Sequence, residues 1–228
     1  LADAVLADSG AVADRLPGLD AHVVYCPVEL DVADAPAPWP PDPEPTDPPR
    51  PVIGFVGRIE PRKGPLDLVQ AAARIRAGAP GARIVLVGDD PYDSAPEYAR
   101  QVRESPDVEH IPWVPDGAAV MRHLDVLVAP SRQEPFGTVL AEAMAAGTPV
   151  VATRVGGLAE VVADGVTGRL VQPGRPDELA DAVLEVLAAR ERMGAAARER
   201  AQRFGADAYA DRVEPLLHDA ARRPMMRR

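Results

Sequence analysis

Six short apolar runs, each followed by a helix-length segment, constrain this chain more than any other feature. They are Val52–Val56 (VIGFV), Arg83–Val87, Val108–Ile111, Val126–Ala129, Pro149–Ala152 and Gly168–Val171. Runs rich in β-branched residues and closed by Gly, Pro or Asp read as fully buried strands. Helices fit between and after them over Pro65–Ala77, Ala95–Glu104, Gly117–His123, Thr138–Ala146, Leu158–Ala163 and Asp177–Ala189. Strands separated by helices need crossover connections, and crossovers give a parallel sheet covered on both faces. The pattern predicts a doubly wound α/β domain. From Glu191 to about Ala221 two further helices are expected, broken near Phe204-Gly205.

A sharp change of composition precedes this domain. Nine of the sixteen residues from Pro36 to Pro51 are proline. Proline cannot donate to a helix or a sheet ladder, so the stretch reads as an extended spacer or a surface loop. Before it, Ala4–Ala7 and His22–Tyr25 read as strands. Ser9–Leu16 is a helix candidate with Ser9 as its N-cap. One strand–helix–strand unit is too small to bury its own core. The expected division is therefore 1–34 as the end of another domain, 35–51 as linker, 52–204 as the α/β domain and 205–228 as a final helix and tail. The chain starts at Leu1, which fits that expectation. The terminal Arg222-Arg223-Pro-Met-Met-Arg-Arg reads as a frayed tail, with attachment to a membrane or acidic partner as the alternative.

Charge and composition narrow the function classes. The formal net charge is −10, which argues against nucleic acid as a partner. No apolar stretch approaches the ~18 residues that span a bilayer, so no transmembrane segment is expected. No secretory signal is visible, and Cys26 is the single cysteine, so neither a disulfide nor a cysteine cage is available. These features point to the cytoplasm. Lys63 is the only lysine among 25 basic residues. The arginine excess itself reads as the codon bias of a GC-rich genome.

In an open α/β sheet, ligands bind beyond the carboxyl ends of the strands. After Val56 comes Gly57-Arg-Ile-Glu-Pro-Arg-Lys63-Gly-Pro65, with Arg58, Arg62 and Lys63 against one acid, Glu60. Pro65 suits the first helical position, and a helix start favours anions. The loop is either a diphosphate clamp or a solvated basic loop. It contains neither G-x-G-x-x-G nor G-x-x-x-x-G-K-[ST]. After Ala129 comes Pro130-Ser-Arg-Gln-Glu134-Pro-Phe-Gly-Thr-Val-Leu-Ala-Glu142. Gly137 permits close approach of a ligand, and the amides of Phe136, Gly137 and Thr138 would face outward at the helix start. Glu134 and Glu142 can bracket a ligand with hydroxyls at both ends. Taken singly, each is a helix-entry or solvent-facing charge.

At these residues the sequence resembles the retaining glycosyltransferases of GT-B fold. Glu134-Pro-Phe-Gly-Thr-Val-Leu-Ala-Glu142 matches their E-x7-E motif, and the GT4-type branch is most similar. Gly57-Arg58 with Lys63-Gly64, Ser131, Gly147-Thr-Pro149, Gly156-Gly157-Leu158 and Asp164-Gly-Val-Thr-Gly168 match in order over roughly Val52 to Leu187. The resemblance implies a Rossmann-like C-terminal half that binds a nucleotide-sugar donor. Gly57, Arg58 and Lys63 would hold the diphosphate, with Thr138 and Val139 near it. Glu142 would take the ribose hydroxyls. Glu134 would take hydroxyls of the sugar, next to Pro135 and aided by the amides of Phe136 and Gly137. The base would pack near Ile111, Pro112 and Trp113. Glu134, Arg58 and Lys63 are the implied catalytic residues. Pro112 replaces a usual glycine, and Tyr25-Cys-Pro-Val-Glu29 lacks the usual Asn-Gly. No D-x-D metal motif occurs, so neither a metal nor another cofactor is expected. The acceptor would sit on a separate N-terminal domain, so this chain alone should bind a donor and turn it over poorly. A nucleotide-sugar epimerase of the same fold and a non-catalytic nucleotide-sugar binding module are the alternatives.

Overall fold

The computed structural model describes residues 4–32, 36–39 and 50–222. Six parallel strands form the main sheet: β3 (Val52–Val56), β4 (Arg83–Val87), β5 (Glu109–Ile111), β6 (Val126–Ala129), β7 (Val150–Thr153) and β8 (Gly168–Val171). Their order is β5-β4-β3-β6-β7-β8. The chain builds outward from β3 through β4 to β5, then returns to pair β6 with the free edge of β3. That reversal makes a switch point between β3 and β6, where their two following loops diverge and leave a crevice.

Alternation along the strands splits the core into two layers. Ile53 and Phe55, Ile84 and Leu86, and Val126 and Val128 face one layer. Helices α2 (Pro65–Gly78), α3 (Pro96–Arg103) and α7 (Pro176–Ala188) cover it. Val85 and Val87, Leu127 and Ala129, and Val150 and Ala152 face the other. Helices α4 (Gly117–Met121), α5 (Thr138–Ala146), α6 (Leu158–Val161) and α8 (Arg190–Ala201) cover that side. Each fully buried Val, Leu or Ile contributes about 1.5–3 kcal/mol. Three helices start with proline, whose missing N–H is not needed there.

Element ends differ from the sequence expectation by a few residues, for local reasons. β7 starts at Val150, not Pro149, because Pro149 has no N–H and contributes only its carbonyl, which accepts from Leu127 N at 3.1 Å. A short 3₁₀ turn, Gln202–Phe204, makes the break before α9 (Ala206–Arg222). The N-terminal unit is β1 (Val5–Ala7), α1 (Gly10–Ala13) and β2 (Ala21–Val23), with β1 and β2 paired in parallel as a separate sheet. α1 is shorter than Ser9–Leu16. The Arg15 and Leu16 amides bond to Val12 and Ala13 in tight turns leading into Pro17-Gly18. Ser9 does cap it, accepting from Val12 N at 3.2 Å.

The described part of the proline-rich stretch is docked. Trp39 is buried in the second core layer and meets His123 edge-on at 6.0 Å. Residues 40–49 and the basic tail after Arg222 lie outside the described residues. No helix among the described residues is long and apolar enough to cross a membrane.

Candidate functional site

The loop after β3 is fixed by its own backbone. Gly57 N donates to Val87 O at 3.0 Å and Ile59 N to Asp89 O at 2.9 Å, with the Ile59 side chain fully buried. Lys63 N and Gly64 N both donate to Glu60 O, which closes a turn. Gly64 has φ +69°, and a Cβ there would fall on the Pro130 carbonyl. Only glycine lets the two site loops approach this closely. Arg132 N then donates to Arg62 O at 2.7 Å and ties the loop after β3 to the loop after β6.

The loop after β6 is held from behind. Thr153 Oγ1 donates to Ser131 O at 2.5 Å. Gly157 N donates to the carbonyls of Glu134 and Pro135 at 3.1 and 3.0 Å. A side chain at Gly156 would strike the Glu134 carbonyl. Phe136 is buried between Tyr25 and Phe204, with ring centroids 5.5 and 5.6 Å away. Gly137, at φ +96°, starts α5. These contacts aim the Glu134 side chain into the crevice.

The two loops and α5 enclose a cavity of about 320 Å³ lined by Gly57, Arg58, Lys63, Glu134, Gly137, Thr138, Val139 and Glu142. Eight of the residues singled out from sequence therefore meet in one place. Lys63 Nζ pairs with Glu134 Oε2, with both side chains mostly buried. Arg58 is half exposed, 3.3 Å from Glu60, with its guanidinium 5.9 Å over the Tyr92 ring. Burial pushes the Glu142 carboxyl above the usual carboxylate range, and the charge of Asp116 adds to the shift. Glu142 is thus not simply a solvent-facing helical residue. Among the described residues, no three His, Cys, Asp or Glu side chains converge as a metal site would require.

A second cavity, about 440 Å³, shares Gly57 and Arg58 with the first. Tyr92 and Trp113 both line it and are 75% and 70% exposed. Exposed aromatic rings on a cavity wall suit a flat heterocycle. Trp113 reaches this cavity. Ile111 and Pro112 are not among its lining residues: the Ile111 side chain packs on the core and its carbonyl accepts from Gly88 N at 3.0 Å. Val114 and Pro115 line the wall instead. Pro135 borders a neighbouring cavity, and Phe136 supports the loop from below.

Sequence reasoning missed several residues that shape the site. Tyr92 carried no signal. Gly156-Gly157 stood out only as part of the resemblance to the family, with no role at the site. Ser9 Oγ donates to Pro135 O at 2.7 Å, and Glu160 accepts from Gly10 N and Ala11 N at 2.9 Å each. Tyr25 OH donates to the same carboxylate at 3.2 Å. The N-terminal unit is thereby fastened to the back of the Glu134 loop.

A six-stranded parallel sheet with its crevice at the β3/β6 switch point is the architecture of the Rossmann-like C-terminal half of GT-B glycosyltransferases. The solved HepE protein of Anabaena, in complex with UDP-glucose, superposes with a TM-score of 0.80 at 25% identity, covering 96% of this chain and 64% of that one. Sucrose-phosphate synthase of Thermosynechococcus elongatus gives 0.78 at 30% identity, covering 96% and 58%. Residues 50–189 match the family described as "Glycosyl transferases group 1", and the chain belongs to that family. The D-inositol 3-phosphate glycosyltransferase of Segniliparus rotundus is 41% identical over 175 residues, 72% of this chain and 39% of that protein. The chain thus spans about two fifths of the length of that curated relative.

Proposed function

We propose that this chain is the donor-binding half of a retaining, GT4-type glycosyltransferase. It binds a nucleoside-diphosphate sugar and, with an N-terminal acceptor domain to which residues 1–34 belong, transfers the sugar to an acceptor hydroxyl. The observation that carries this reading is the convergence of Arg58, Lys63, Glu134 and Glu142 on one cavity beside an aromatic-walled one. Tyr92, Trp113 and Pro115 hold the base, Glu142 accepts from the ribose hydroxyls, and Arg58 and Lys63 face the diphosphate. Glu134 and the amides at the start of α5 hold the sugar.

Charge dictates the mechanism. As the sugar–oxygen bond breaks, the leaving diphosphate gains negative charge. Preorganised cations and helix-start amides stabilise it most at that moment, each worth up to ~3 kcal/mol. Arg58 and Lys63 supply the positive charge that a metal supplies elsewhere, so no cofactor takes part. The leaving phosphate takes the acceptor proton on the same face, which retains configuration without a protein nucleophile. The reaction belongs in the cytoplasm, where nucleotide sugars are made.

Calorimetric titration with UDP, GDP, ADP and TDP tests the reading, with NAD as the control. One diphosphate should bind, and Arg58→Ala should weaken it far more than the matching nucleoside. Equal weakening of both would overturn the clamp assignment.

A further inference from the structure

On the side of Glu134 away from the aromatic wall lies a third cavity of about 280 Å³. It sits between the N-terminal unit and the loops after β3, β6 and β7. Three guanidinium-bearing side chains line it: Arg15, Arg62 and Arg132. In a chain of net charge −10, three arginines lining one cavity are a local reversal of the balance of charge.

The arginines differ in how far they are neutralised. Arg132 donates to the buried Asp67 at 2.7 Å. Arg62 lies 2.9 Å from Glu60, a carboxylate it shares with Arg58, and donates to Gln133 O at 3.2 Å. The Arg15 side chain is exposed and has no ion-pair or hydrogen-bond partner among the described residues. The one carboxylate lining the cavity, Glu134, is already paired with Lys63. The cavity is therefore net positive, with planar donor forks that match phosphate and carboxylate.

Glu134 lines both this cavity and the one assigned to the diphosphate and sugar. Resting on that donor-site reading, we propose that the Arg15–Arg62–Arg132 cavity receives an anionic group, phosphate or carboxylate, carried by the molecule that meets the sugar at Glu134. An anionic acceptor is the source the geometry favours, because Arg15 belongs to the N-terminal unit and the other two arginines to the donor-side loops. An anion between them draws the two sides together. The same chemistry can also come from an acidic transferred sugar.

The test is heteronuclear NMR on the chain saturated with whichever of UDP, GDP, ADP and TDP it binds, following the amides of Ala11, Val12, Val155 and Gly156. Glucose 6-phosphate is the probe, with glucose and inorganic phosphate as companions. The phosphate ester should shift these amides saturably and glucose should not. Arg15→Ala should weaken the response about tenfold, the value of one charge-assisted contact. Arg15→Lys should restore part of it, and the affinity for that nucleoside diphosphate should stay unchanged in both variants. If UDP-glucuronate shifts the amides and glucose 6-phosphate does not, the anionic site stands and the charge rides on the sugar. No saturable shift from either probe, or a shift indifferent to Arg15→Ala, overturns the proposal. If none of UDP, GDP, ADP and TDP binds, the donor-site reading falls, and the titration without a nucleotide still reports whether the arginines take phosphate.

Discussion

Replacing Glu134 by Gln should tighten the binding of UDP. In the chain Glu134 and Lys63 neutralise each other in a mostly buried pair. Two unit charges about 4 Å apart attract by about 4 kcal/mol at an effective dielectric of 20. A diphosphate must compete with that attraction for the Lys63 ammonium. Glutamine keeps the size and one hydrogen-bond acceptor but removes the charge. If a quarter to a half of the Coulomb energy is released to the ligand, UDP gains about 1–2 kcal/mol, or about five- to thirty-fold in affinity. UDP-glucose should gain less, because a neutral amide is a weaker acceptor for sugar hydroxyls than a carboxylate. The affinity for UDP-glucose relative to that for UDP should therefore fall. Parallel calorimetric titrations of the two ligands on both proteins measure this, repeated at high salt to expose the charge dependence. Unchanged or weaker UDP binding by Glu134→Gln would refute the placement of Lys63 at the diphosphate.

Two further predictions rest on the same region. Glu142 has a carboxyl pKa raised in the folded chain, mainly by burial. The folded state then binds its proton at higher pH than the unfolded state, so this group's contribution to stability falls as pH rises from about 4.3 through the folded pKa. Glu142→Gln should raise the thermal midpoint at pH 7, lose that gain below about pH 4, and weaken UDP; a gain that persists in acid counts against the burial argument. Gly64→Ala forces φ +69° on a residue with a Cβ and drives that Cβ into the Pro130 carbonyl. A loss of about 2–5 kcal/mol in denaturant unfolding is expected, and a loss below about 1 kcal/mol would show that the loops need not approach so closely.

The four inner strands β4, β3, β6 and β7 were legible because each is a short run buried along most of its length, as the interior of a parallel sheet demands, while the edge strands β5 and β8 are only partly buried. The meeting of the two crevice loops was legible because their residues sit immediately after β3 and β6, at the carboxyl ends of adjacent strands. The joint between the N-terminal unit and the Glu134 loop was not. Its bonds link Ser9 to Pro135 and Gly10 to Glu160, separations of 126 and 150 residues, and no local pattern encodes such pairs. Tyr92 escaped notice because an exposed aromatic in a loop has no periodicity to betray it. The half-buried state of Glu142 depends on what stands opposite α5, which the helix's own sequence does not contain.

Main-chain atoms make much of the frame of the two site loops, with Pro130 O close against Gly64, Arg132 N on Arg62 O, and Gly157 N on Glu134 O and Pro135 O, and the side chains of Thr153 and Ser9 add to it. The wall formed by Tyr92, Trp113 and Pro115 is made of side chains that carry none of these bonds. If the proposed donor site is right, anchoring and selectivity fall to different atoms. Substitutions at the wall should then retune which heterocycle is accepted while the loop geometry stays in place. A saturation library confined to positions 92, 113 and 115 is accordingly where a change of base preference should be sought.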